Sequence, residues 1–381
     1  MSTMKSIPCT ILRGGTSKGV YLMASDLPSD PKERDELILK IFGSPDVRQI
    51  DGLGGADPLT SKVAIIGPPS RPDADVDYTF GQVGIDEAGI GYQANCGNIS
   101  AGVGPFAIDK GLVEKAAGKT VVRIHNTNTG KIITADVPMD GDEVAVKGDC
   151  VVEGVPGTGA KIMLDYSDTV GSVFKRMLPT GNPVDILEVP GCGKIEVSIV
   201  DVGNPLAFVR ASDIGLTGTE KPEEIDSHPE LIEILENIRG AALVRMGIAP
   251  SIPEALAKVP GIPMVAFITE PTDYEKFTDG KTVTEEQIDL TSRLIFVKKM
   301  HKTYPGTGAV CTASAVKIKG TIPNQIVKNA EELKLVRIGH PAGVIEVEVD
   351  ADYSNGIGKI TRAAIDRTAR KILDGTVYVT D

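Results

Sequence analysis

Short apolar runs bounded by glycine and polar turn residues predict strands at residues 7–12, 19–23, 63–66, 75–82, 120–124 and 131–137. Further runs at 143–146, 160–164, 194–202, 264–268, 294–299, 335–339, 344–349 and 376–380 carry the pattern through the second half. Helical spacing is confined to a few stretches. Residues 31–42 set Leu37, Ile38 and Ile41 on one face with charges opposite, and helices are also expected at 98–108, 230–246 and 359–373, the last a basic one. A helical turn is expected at 172–177, mixed helical and polar character at 325–334, and a proline-rich connection at 250–263.

The stretch from Tyr92 to Phe106, centred on Gln93-Ala94-Asn95-Cys96-Gly97-Asn98, takes an extended segment into a helix of small residues. The backbone N–H groups of a first helical turn form an anion site, and a thiol placed there is favoured as thiolate. A second cysteine, Cys311, stands in the similar setting Gly306-Thr307-Gly308-Ala309-Val310-Cys311 and is expected near a second, short helix start. Other landmarks recur in the same order. The segment from Arg13 into Ala24-Ser25-Asp26 is echoed by Asp201 into Ala211-Ser212-Asp213, and Val122-Arg123-Ile124 by Val336-Arg337-Ile338. Three paired landmarks argue for an internal duplication, with the boundary near 180–183.

A chain of 381 residues suits two such domains, 1–185 and 186–381. No apolar run is long enough to span a bilayer, and residues 1–5 do not resemble a secretory leader, so a cytoplasmic protein without membrane attachment is expected. Five scattered cysteines form no CxxC pair, and the four histidines show no metal-ligand spacing, which leaves neither a disulfide framework nor a metal site. The net charge of −12 and the absence of tryptophan disfavour nucleic acid as a partner. Gly118-Lys119-Thr120 and Gly280-Lys281-Thr282 lack the glycine five places earlier that a phosphate loop requires, and Gly306-Thr307-Gly308 has Cys311 where the dinucleotide fingerprint needs glycine.

What is left is an inventory that needs no cofactor: two cysteines, loops rich in Gly, Thr, Ser and Asn, and Lys62 at the mouth of an apolar strand. Lys62 is either an edge residue reaching water or a functional cation in a partly dry site. Removing a proton from carbon beside a carboxylate builds negative charge on its oxygens. Such a site needs N–H donors aimed at those oxygens and a base that works near neutral pH, which a thiolate or a desolvated lysine would supply.

The motifs Arg13-Gly14-Gly15-Thr16-Ser17-Lys18-Gly19, Gly54-Gly55-Ala56-Asp57-Pro58-Leu59-Thr60-Ser61-Lys62, Asn95-Cys96-Gly97-Asn98, Val202-Gly203-Asn204-Pro205 and His340-Pro341-Ala342-Gly343 resemble the 2-methylaconitate isomerase family. The resemblance covers essentially the whole chain. It implies an α+β fold similar to diaminopimelate epimerase, with two pseudo-symmetric lobes, each a sheet around a central helix, and an active site in the cleft between them. By the same resemblance Lys62 and Cys96 are the proton-transferring pair, and Ser17 with the backbone of Cys96, Gly97 and Asn98 lies at the substrate. Thr16, Asn204, Thr307 and Gly308 join the substrate-binding set, and Cys311 and His301 are assigned to positioning it.

The implied reaction is a 1,3-allylic proton shift in a branched unsaturated dicarboxylate, 3-methylitaconate giving 2,3-dimethylmaleate. Isomerisation of 2-methylaconitate and tautomerisation of 4-oxalomesaconate are the family alternatives; amino- or hydroxy-acid epimerisation, and ligand binding without catalysis, lie outside it. Amino-acid epimerases of this fold use two cysteines, the second usually followed by Gly and a hydroxyl residue. Cys311 is followed by Thr312-Ala313, a departure that speaks against two-thiol chemistry. The sequence is silent on oligomeric state and compatible with a homo-oligomer.

Overall fold

In the computed structural model, which describes residues 4–92, 95–354 and 356–380, the chain is a mixed α and β fold, rich in sheet with few helices. Gln93 and Ala94, in the approach to Cys96, and Met1 to Thr3, in the segment weighed as a leader, lie outside the described residues. Two compact units divide the chain, Met1–Leu164 with Asp366–Asp381, and Asp165–Ile365. Residues 165–185, expected with the first half, belong to the second unit. The Asp201 carboxylate holds them there, accepting from Ser172 Oγ at 3.1 Å and from the N–H of Val173 at 2.9 Å.

The first unit starts with β1 (Lys5–Gly14), which turns at Gly15 into β2 (Ser17–Met23). A φ of +48° at Gly15 is the left-handed geometry this tight turn needs. Helix α1 (Pro31–Phe42) follows, capped by Asp30, whose carboxylate accepts from the N–H groups of Lys32 and Glu33. Then come β3 (Lys62–Gly67), β4 (Val76–Val83), α2 (Gly97–Asp109), β5 (Lys119–Asn126) and β6 (Lys131–Asp140). The β1–β2 pair is antiparallel, β2–β3 parallel, β3–β4 antiparallel, β4–β5 parallel and β5–β6 antiparallel.

Every residue of β3 is buried because the sheet is covered on both faces. Alternation along β2 sends Val20 and Leu22 into a core with Leu37, Ile38, Ile41 and Phe42 of α1. The intervening Tyr21 points the other way, its hydroxyl donating to Ile99 O of α2 at 2.6 Å and its ring 5.9 Å from Phe106. Residues 97–108 of α2 are all buried in the interior of the first unit. Its Gly, Ala and Ser content is what lets strands approach so closely: a Cβ on Gly102 would lie 2.3 Å from the Tyr21 hydroxyl.

The second unit repeats the plan. After β7 (Asp185–Val189) come β8 (Gly193–Val202), β9 (Asn204–Arg210), α3 (Pro229–Arg245), α4 (Ile252–Lys258), β10 (Met264–Thr269), β11 (Leu290–Phe296), α5 (Gly306–Lys317), β12 (Leu335–His340), β13 (Gly343–Asp352) and β14 (Lys359–Arg367). The pairings β8–β9, β9–β10, β10–β11, β11–β12 and β12–β13 alternate antiparallel and parallel in the same order as β1 to β6. Helix α5 enters between β11 and β12, as α2 does between β4 and β5, and is buried along its whole length. Even a clamp is duplicated. Arg123 donates its N–H (2.7 Å), Nε (3.2 Å) and terminal guanidinium nitrogen (2.7 Å) to Asp75, and Arg337 makes the same three bonds to Asp289 at 2.7, 3.3 and 2.8 Å.

Three expectations are corrected. Residues 359–373 are not a helix but β14 and the start of the terminal strand Ala369–Val379. Partners far away in sequence decide this: β14 pairs with β13, and the terminal strand pairs with β1 from Val379 opposite Lys5 to Ala369 opposite Gly14. The connection at 250–263 contains α4, which tolerates Pro253 because a first helical turn has no use for that N–H. The strand expected at 294–299 ends at Phe296, where Val297 and Lys298 turn the chain at φ +50° and +58°.

Asp185 ties β7 to α3, and a prediction follows from it. Burial pushes its carboxyl up, but hydrogen bonds from Thr180, Asn182 Nδ2 (2.8 Å) and Arg245 Nε (2.8 Å) outweigh that effect and hold it below the ordinary carboxylate range. A carboxyl with a depressed folded pKa lends stability that is complete above its unfolded value, about 4, and is lost as pH falls through the folded value. Asp185→Asn is therefore expected to cost about 1–3 kcal/mol at neutral pH. In thermal melts the gap to the wild type should close as the pH falls below about 4; an equal gap at every pH would refute the assignment.

Candidate active site

Three segments of the first unit converge at one end of α2: the tip of the β1–β2 hairpin, the start of β3 and the first helical turn. Lys62 opens β3, and the strand register sets it between Gly19 of β2 and Gln82 of β4. Its side chain is buried, with 6% exposure. The Nζ donates to Gln82 Oε1 at 2.6 Å and lies 5.3 Å from the centre of the Phe80 ring. Neither neighbour carries a charge. This burial speaks against an edge residue with its amine in bulk water.

Cys96 is the N-cap residue of α2 and is half-buried. Its side chain makes no capping bond, and the first turn contains no acidic residue. The Cys96 carbonyl receives the N–H of Ser100 at 2.9 Å, so the N–H groups of Gly97, Asn98 and Ile99 are left without partners among the described residues. The contrast with α1 is informative. There Asp30 and Glu33 neutralise the positive helix end, whereas the start of α2 carries neither a side-chain cap nor an acid. Asn98 binds this turn to the hairpin, its Nδ2 donating to Thr16 Oγ1 at 2.9 Å and reaching Ser17 Oγ at 3.4 Å. The loop before β3 joins the same cluster through the Lys18 N–H, which donates to Leu59 O at 2.9 Å.

The second unit builds a parallel arrangement. Helix α5 starts after Pro305, again with no side-chain cap and no acid in its first turn. The Ala309 N–H reaches Pro305 O at 2.8 Å, leaving those of Gly306, Thr307 and Gly308 without partners among the described residues. Asn204 Nδ2 donates to Thr307 Oγ1 at 3.0 Å, matching the bond from Asn98 to Thr16 with amide and hydroxyl exchanged between hairpin and helix. Gly203, at φ +72°, makes this hairpin turn as Gly15 makes the first.

Cys311 is corrected here. It was expected near a helix start, but it lies in the middle of α5, wholly buried, and its thiol donates to Val200 O at 3.3 Å. Burial pushes that thiol well up, against weaker opposing backbone hydrogen bonds. The residue that occupies the Cys96 position in the second repeat is Pro305. Cys311 precedes Arg337 by nearly the same distance as Cys96 precedes Arg123, but α5 starts earlier relative to its arginine than α2 does. His301 is half-buried in the segment leading to α5, its Nδ1 accepting from the Thr303 N–H at 3.2 Å.

Gln82 and Pro305 stand beside these residues without having been expected there from the sequence. The Gln82 signal was present, since an antiparallel return of the strand ending there sets it opposite the start of β3. Another constellation invites a catalytic reading and fails it. Ser70 Oγ (3.3 Å) and Asp77 Oδ1 (2.8 Å) both face Nδ1 of His125, so the two-nitrogen relay of a hydrolase triad is not formed.

A family model described as PrpF protein matches residues 4–380. The chain is 53% identical over 380 residues to a 3-methylitaconate isomerase from Eubacterium barkeri, covering 100% of this chain and 98% of that one. It is 39% identical to a 2-methyl-aconitate isomerase from Cupriavidus necator, covering 98% and 97%. Among solved structures, a crystal structure of methylitaconate-delta-isomerase aligns with a TM-score of 0.86 at 53% identity, covering 99% of this chain and 96% of that one. A hydroxyproline epimerase from Agrobacterium vitis aligns at TM-score 0.58 and 15% identity over 100% and 94%, a likeness of fold alone.

Proposed function

This chain belongs to the PrpF family, and from that premise we propose that it is an isomerase moving a carbon–carbon double bond by a 1,3-allylic proton shift, converting 3-methylitaconate to 2,3-dimethylmaleate. Full-length identity of 53% to a 3-methylitaconate isomerase supports the choice of substrate. The observation that carries the chemistry is the pair of helix starts, α2 and α5, each with N–H groups that have no partner among the described residues and no acid in its first turn to neutralise them. Two carboxylates need two such places. The substrate position, between two pseudo-symmetric lobes as the resemblance implies, is part of this reading.

In the proposed reaction one of Lys62 and Cys96 takes the proton from the allylic carbon. The electron pair of that C–H bond forms the new double bond, the old one shifts onto its far carbon, and the partner residue delivers a proton there. The reaction is redox-neutral and leaves the proton count unchanged. Charge that builds on the adjacent carboxylate is met by the N–H groups of Gly97 and Asn98 and the hydroxyls of Thr16 and Ser17. Thr307, Gly308 and Asn204 hold the second carboxylate, and His301 lines the approach to them. Cys311 is left out of substrate contact because its thiol is turned to Val200. Pro305 argues against a two-thiol epimerase, since no ionisable side chain stands where such an enzyme would need its second cysteine.

Proton NMR in deuterium oxide tests this reading, with 3-methylitaconate, 2-methylaconitate and a free amino acid in separate tubes. Loss of the methylene signal of 3-methylitaconate with growth of a new methyl signal is the expected result. Turnover of 2-methylaconitate alone would keep the family and replace the substrate, exchange at a single carbon of the amino acid would indicate epimerisation, and no exchange in any tube would refute catalysis.

A further inference from the structure

Gln82 makes three hydrogen bonds that together leave its amide one orientation. Its Nε2 donates to Ser61 O at 3.0 Å and to Pro58 O at 3.2 Å, which uses both amide hydrogens. Only Oε1 is then left to face Lys62, and it accepts from Nζ at 2.6 Å. The two residues sit directly opposite each other in the β3–β4 ladder, where cross-strand side chains interact most closely. Phe80, two residues earlier on the same face of β4, closes the apolar side of the amine. Among the described residues Nζ has no other hydrogen-bond partner and no carboxylate within ion-pair reach.

We propose that Gln82 is a positioning residue that aims the Lys62 amine while leaving it free to gain and lose a proton. The choice of side chain is what carries the inference. A buried lysine kept for structure is held by a carboxylate or by several carbonyls, as Lys317 is by the carbonyls of Ala330 (2.9 Å), Glu331 (2.6 Å) and Leu333 (2.7 Å). A carboxylate facing the amine would favour the ammonium form and oppose proton exchange. A single amide oxygen accepts from either form. It fixes direction at little cost to the proton transfer, and the two backbone carbonyls fix the amide in turn. This inference rests on the reading that Lys62 moves a proton.

The test compares Gln82→Leu, Lys62→Ala and the double variant in the methylitaconate exchange assay, with thermal melts to confirm folding. Gln82→Leu is expected to lower kcat by about tenfold or more, with KM within about threefold, because the bond it removes acts on the chemical step. On the Lys62→Ala background the same substitution should change the residual exchange by less than about twofold, since its effect passes through the missing amine. An equal loss on both backgrounds, or a kcat within about twofold of wild type for Gln82→Leu, overturns the inference while leaving the proposed function intact. Lys62→Ala turning over within about tenfold of wild type would remove Lys62 from the proton transfer, and this inference with it, while leaving the isomerase reading intact.

Discussion

Turnover is expected to fall by about 10³-fold or more in Lys62→Ala and in Cys96→Ala, with the melting temperature of each near that of the wild type. The size of the loss follows from division of labour. A proton shift across three carbons needs one group to accept and one to donate, and removing either leaves water to do its work from an unordered position. The fold should be spared because neither side chain supports the core. Cys96 makes no capping bond, and among the described residues Lys62 bonds only to Gln82, so each can be truncated without leaving a charged partner buried. Cys311→Ala is the informative comparison. Its thiol is wholly interior, so a small loss of stability and a turnover within about threefold of wild type are expected. If Cys311→Ala proved as damaging as Cys96→Ala while folded, the two-thiol reading would return.

The duplication was legible from landmark residues because each performs the same local task twice. Arg123 and Arg337 both clamp an aspartate, and Gly15 and Gly203 both turn a hairpin, so selection of residue type followed geometry. The pairing of Cys96 with Cys311 went wrong where geometry and spacing part. A helix may begin earlier or later in a repeat without disturbing its strands, and counting residues to the next arginine does not detect that shift. The terminal segment failed for a different reason. Ala363, Ala364 and Ile365 together with the basic residues carry helical propensity, and only the ladder with β1 and β13 overrides it. Strand β9 was not among the expected runs; its Pro205 is tolerated because it lies at the second residue of the strand, next to the hairpin turn. Small residues around a polar group drew attention to Thr16, Ser17, Gly97 and Asn98, and hydrogen bonds from Asn98 bring Thr16 and Ser17 to the first turn of α2.

Gly14→Ala is expected to damage both stability and catalysis, although Gly14 touches no proposed reacting group. It ends β1, pairing with Ser17 in the hairpin and Ala369 in the terminal strand, and a Cβ there would lie 2.2 Å from the carbonyl oxygen of Asn98 and 3.2 Å from its carbonyl carbon. The obstacle is backbone, so no rotamer change relieves it. Retreat is blocked on the far side, where α2 is buried at every residue from Gly97 to Ile108. The hairpin cannot retreat either, being held by strands on both edges. Overpacking of this kind costs about 1–3 kcal/mol, which thermal or denaturant unfolding would register. Whatever displacement accommodates the methyl group must move the first turn of α2 relative to Thr16 and Ser17, and with it the N–H groups proposed to meet the substrate carboxylate. A misplacement of about 1 Å is enough to reduce turnover by about 10²-fold. Gly89→Ala, where an added Cβ meets nothing within 4 Å, should leave both quantities unchanged. Gly14→Ala with normal turnover would show that the reaction does not depend on where this helical turn stands, and the anion-binding role assigned to it would have to be given up.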